Sequence, residues 1–172
     1  GEPRARARRA ALRAGVALSG LASSWAAFTA HAMQFLRPGG RLALVLPGEL
    51  MSVNYASPVR RHLFQSFSSV ELVLFDEQLF PDAETEVVLV LADGYGAGPA
   101  DHAVVRPVRD AAALADSASG RRWRPADPAG KWTGGLVDPY ALDALTAAAG
   151  AGDFAELSQW GETTLGMVTG NN

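Results

Sequence analysis

The side chains able to do chemistry are few in this chain and widely spaced. Of the three histidines, His31 lies in a helical pattern, His62 beside Arg60 and Arg61, and His102 at the start of a strand-like run. None has acidic residues at the spacing of a metal centre, and none fits a serine–histidine triad, so neither chemistry has support. With no cysteine, thiolate zinc sites, thiol nucleophiles and disulfides are excluded together. Gly94 to Gly98 is glycine-rich but leads to another strand-like run instead of a helix, so it is no phosphate loop. What remains is Pro47 and Glu49 just after an apolar run, Asn54 and Tyr55 in the loop that follows, and Phe80 in a Leu-Phe-Pro loop. Open α/β sheets place ligands at the carboxyl ends of their strands, which makes Pro47 and Glu49 candidate pocket-wall residues. Pro47 also reads as a plain strand stop.

The elements that must position these groups follow a helix–strand alternation. From Gly20, Leu21, Trp25, Phe28, Ala32 and Phe35 recur at spacings of three and four, which predicts a helix whose apolar stripe faces a sheet. Arg37 closes it, Pro38 cannot continue it, and Gly39-Gly40 let the chain reverse. Arg41 to Leu46 is then a continuous apolar run, as expected of a strand covered on both faces. Ser57-Pro58 opens a second helix with Val59, Leu63 and Phe67 on one side, and Val70 to Phe75 predicts a second strand. Thr85 to Leu91 predicts a third. The gap before it is too short for a crossover helix, which favours an antiparallel pair at the edge of a mostly parallel sheet.

Beyond Asp93, His102 to Val108 reads as a further strand and Asp110 as the cap of a short alanine-rich helix. Residues 118–135 lack a period and read as an irregular surface segment. Asp138-Pro139 starts a last helix, to about Ala149. The 172 residues suffice for about one domain, and no apolar run approaches the roughly 18 residues that span a bilayer. Net charge is −3, yet the first 13 residues hold five arginines against Glu2. Such an arm fits either phosphate contact or a solvated helix start.

The order of pieces resembles the second half of the class I S-adenosylmethionine-dependent methyltransferase fold. Leu36-Arg-Pro-Gly-Gly to Leu-Pro47, Val59-Arg-Arg, and Phe75 to Phe80-Pro81 leading into Val87-Val-Leu-Val-Leu91 resemble the adenine-specific DNA methyltransferases of the gamma order. Thr163 to Asn172 is similar to the entry into the target-recognition region of such enzymes. The resemblance implies a Rossmann-like half-sheet, with the catalytic domain's C-terminal half at 1–95, a connecting segment at 96–155 and the start of target recognition at 156–172. It implies S-adenosylmethionine as methyl donor, double-stranded DNA as partner, a nuclease or specificity module in the same restriction or phage-defence system, and a cytoplasmic location without a membrane.

Residue by residue, the resemblance makes Phe80 a ring that stacks on a flipped adenine, against the alternative that it plugs the sheet edge. Asn54 and Tyr55 are weaker candidates for DNA contact, with a turn residue and a core-capping ring as the other readings. Thr169 and Asn171 are candidates of the same kind. Trp25 and Phe28 are read as core. The family's glycine-containing donor loop and its Asn-Pro-Pro-Tyr or Asn-Pro-Pro-Phe motif do not occur, so catalytic and donor-binding residues are expected upstream of Gly1 and the 172 residues alone are expected to be inactive. Two other readings stay open: a methyltransferase of RNA, protein or a small molecule, and a non-catalytic α/β module that binds nucleic acid through its arginine arm.

Overall fold

The computed structural model of the chain describes residues 2–80, 86–115, 119–152, 155 and 157–162. It divides into two units, Gly1–Leu136 and Val137–Asn172. The first carries helices α1 (Glu2–Arg13), α2 (Ser24–Met33), α3 (Glu49–Ser52) and α4 (Ser57–Ser66), with strands β1 (Leu42–Pro47), β2 (Ser69–Phe75), β3 (Val87–Asp93), β4 (Ala103–Val108) and β5 (Arg121–Trp123). The second carries α5 (Pro139–Gly150), whose start is capped by the Asp138 carboxylate accepting the amides of Tyr140 and Ala141. No helix among the described residues is long and apolar enough to cross a membrane.

The five strands form one sheet in the order β1-β3-β2-β4-β5. This corrects the expectation of a mostly parallel sheet with an antiparallel edge: β3 lies inside the sheet, antiparallel to both β1 and β2. Among the described residues only β2 and β4 pair in parallel, and β5 returns antiparallel on β4. The short connection from β2 does turn the chain back, as its length requires. The returning strand then occupies the slot between β2 and β1, leaving β1 at the rim. Nor is β1 covered on both faces. Leu42 and Leu46 are buried, whereas Val45 on the other face is 53% exposed.

The turn before β1 uses both glycines, for different reasons. Gly39 has φ 74°, where a side chain is strained, while a Cβ on Gly40 would lie 2.8 Å from the Arg37 carbonyl oxygen. Their backbone pairs with Tyr95 beyond β3, which extends the rim of the sheet. On the core side, α4 buries Val59, Leu63 and Phe64. Residues 118–135 differ from expectation: β5 lies within them, and Trp123 and Trp132 are buried. Trp132 meets Phe64 edge-on at 5.3 Å, donates its amide to Met51 and its Nε1 to the Pro128 carbonyl. Two indoles too large to leave in water thus clamp this segment to the core.

Candidate functional site

The carboxyl end of β1 is joined to the start of β3, where Pro47 pairs with Val87 and the Gly48 amide donates to the Glu86 carbonyl at 2.7 Å. Two adjoining hollows open there. One, about 440 Å³, is walled by Glu49, Met51, Leu74, Phe75, Glu86 and Leu136, among others. The other, about 270 Å³, is formed by 75–80 with Glu86 and Val87. They share Phe75, Glu86 and Val87, so the Phe80 loop and the Glu49 helix border one composite depression. The larger hollow has the size of a small-molecule pocket.

Glu49 is held by two aromatic donors. Trp25 Nε1 donates to Oε2 at 3.2 Å, and the Tyr55 hydroxyl donates to the same oxygen at 2.5 Å. Ser23 Oγ lies 3.0 Å from that hydroxyl, and the rings of Trp25 and Tyr55 sit 5.9 Å apart, tilted. Burial, and then the bond to Glu49, push the Tyr55 phenol above its ordinary value. Tyr55 is therefore neutral at pH 7 and can serve as a donor. Behind this cluster the Arg60 side chain is 1% exposed, and its guanidinium donates to the carbonyls of Leu50, Val53 and Ala129. These bonds fix the backbone of α3 and of the turn that carries Asn54 and Tyr55.

The structure brings Glu49 and Tyr55 into direct contact and sets Pro47 at the strand end beside them. Phe80, 49% exposed, lines the smaller hollow, and its carbonyl accepts from Gln78 Nε2. Asn54 is exposed on a 3-10 turn and lines neither hollow. Thr169 and Asn171, like Pro81, lie outside the described residues. Sequence reasoning missed the bond from Trp25 to Glu49, the contact of Ser23 with the Tyr55 hydroxyl, and the wall made by Thr133 and Leu136. No local spacing marked the first, because Trp25 lies 24 residues before Glu49. The wall came from the segment read as irregular. No group of three or more metal-ligating side chains occurs among the described residues.

No protein-family model matches the chain, and no curated protein does. Its likeness is to solved structures. The cryo-electron-microscopy structure of a DrdV–DNA complex matches with a TM-score of 0.56 at 12% identity, over 77% of this chain and 16% of that one. The ATP-dependent Type ISP restriction-modification enzyme LlaBIII, bound to DNA, gives 0.48 at 10%, over 60% and 8%. The M protein of the Type I restriction enzyme EcoKI gives 0.39 at 23%, over 51% and 20%. The chain thus spans about a fifth or less of each of these proteins. At 12% identity the DrdV match is a likeness of fold.

Proposed function

We propose that this chain is part of a site-specific DNA methyltransferase that acts on the amino group of adenine, within a restriction-modification or phage-defence system. The observation that carries the reading is the fold shared with the DrdV chain, a protein seen on DNA. The segments Leu36 to Pro47 and Phe75 to Pro81, which resemble the gamma-order enzymes, supply the adenine specificity of the proposal. In this reading target recognition begins near residue 156, and Thr169 and Asn171 contact DNA.

The chemistry open to the chain's own residues is acceptor positioning. An adenine amino group inside a duplex is out of reach, so the base leaves the stack and needs an aromatic surface and hydrogen-bond acceptors. Phe80 offers a half-exposed ring at the rim of the depression, and Glu49 and Glu86 offer carboxylate oxygens in its wall. The Trp25 and Tyr55 donors hold the Glu49 carboxylate in place, which keeps one acceptor at a fixed position. S-adenosylmethionine would supply the methyl group. These walls do not fit its amino-acid end, because among the described residues no lysine or arginine lines either hollow to meet a carboxylate, and no step is derived through it.

Methyl transfer to duplex DNA by the native protein that contains this chain tests the reading. Phe80→Ala should lower transfer by about tenfold, since base–aromatic stacking contributes about 1–3 kcal/mol, while donor binding measured by calorimetry is unchanged. Absence of methyl transfer to DNA, or full activity in Phe80→Ala, would overturn the respective claims.

A further inference from the structure

The arginines of α1 divide into two sets. Ala7, Ala11 and Ala14 turn inward to the core. Arg4 and Arg8 flank that face and line a groove of about 490 Å³ between α1 and the approach to α2, together with Gly20, Leu21, Ser23 and Ser24. Arg6, Arg9 and Arg13 fall at helical spacing on the outer side. All five are exposed, and none takes part in an ion pair or hydrogen bond among the described residues. Among the described residues the groove has no acidic residue in its lining, in contrast to the depression at the strand ends with Glu49 and Glu86. In a chain of net charge −3, this is a local concentration of positive charge.

Two further contacts give the groove a direction. The Arg8 guanidinium lies over Gly20, where a Cβ would come 3.2 Å from its NH1. Ser23, in the groove wall, touches the Tyr55 hydroxyl, which bonds Glu49 in the wall of the depression. The two cavities are therefore joined by one polar chain of three side chains.

We infer that the groove between α1 and α2 is a phosphate seat for the DNA strand whose base is presented to the depression. Arg4 and Arg8 grip the phosphodiester, for which the planar guanidinium fork is suited, with the Ser24 hydroxyl within the same lining. The carrier of the phosphate rests on the methyltransferase reading above; the anion chemistry of the groove does not. The outer arginines add charge without a seat.

The test is the salt dependence of binding of the full chain to a short DNA duplex, followed by fluorescence anisotropy. Each phosphate neutralised contributes about 0.9 to the slope of log K against log salt. Arg4→Gln with Arg8→Gln should reduce that slope by about 0.9, the share of the one phosphate they grip. The outer triple change, Arg6→Gln with Arg9→Gln and Arg13→Gln, should leave it unchanged. An unchanged slope in the Arg4/Arg8 variant, or an equal or greater drop in the outer triple variant, would overturn the inference. Altered slopes in a protein that transfers no methyl group would sustain the seat and sink the enzymatic reading; methyl transfer with unaltered slopes would do the reverse.

Discussion

Arg60 and Tyr55 set the precision of the site, and each makes a measurable difference. Among the described residues the Arg60 guanidinium bonds no carboxylate; it serves three main-chain carbonyls in a place where water is excluded. Burial lowers its pKa, partly offset by Asp127. Arg60→Met should cost about 3 kcal/mol or more in urea denaturation, because the carbonyls lose charged donors and stay buried. Tyr55 works through its proton. Its native pKa stands above the ordinary value, so over the interval between the two the native state holds more protons than the unfolded chain. Stability therefore falls as pH rises through that interval. Thermal melts from about pH 8 to 11, a window around the phenol's usual value of 10, should show a smaller alkaline loss in Tyr55→Phe than in the parent. At this scale the sequence disclosed the residues but not their partners: Glu49 and Tyr55 are six apart, yet Trp25 reaches Glu49 from α2, and Ser23, just before α2, reaches Tyr55.

Among the elements, α2 departs furthest from its pattern. Leu21, Phe28 and Phe35 keep helical spacing, but they are 87%, 58% and 76% exposed, and the buried side is Ala26, Ala27, Ala30 and Met33 with Thr29. Periodicity marked the helix and misassigned its inner face, since a stripe of alanines has the same period and less hydrophobic weight. Small residues prevail there because α2 packs against both α1 and α4, and close approach of helices is set by the side chains between them. Two substitutions distinguish the faces. Phe28→Ser should change stability by no more than about 0.5 kcal/mol, whereas Ala30→Leu should cost about 1–3 kcal/mol through overpacking, both read from denaturant midpoints. Trp25 lies between the faces, half-buried, which explains how a residue read as core also donates to Glu49.

Across the whole molecule, what was legible was the list of elements and what was hidden was their neighbours. The apolar runs that became β1, β2, β3 and β4 stand out in the sequence, and the turn at Gly39-Gly40 follows from residue type. The order β1-β3-β2 could not be read, because pairing partners are chosen by long-range packing that no local period records. Trp123 and Trp132 were hidden for a related reason: a segment without a period can still be anchored by two rings.

The place of β3 also bears on the birth of the fold. Among the described residues β1 pairs with β3 alone, although 39 residues, 48–86, separate them in the chain. Until residues 87–93 have left the ribosome, β1 has nothing to pair with and the apolar underside of α2 no finished sheet to cover. Assembly of the sheet thus waits on its third strand, and a chain interrupted before it holds two unpaired strands and an unclosed core.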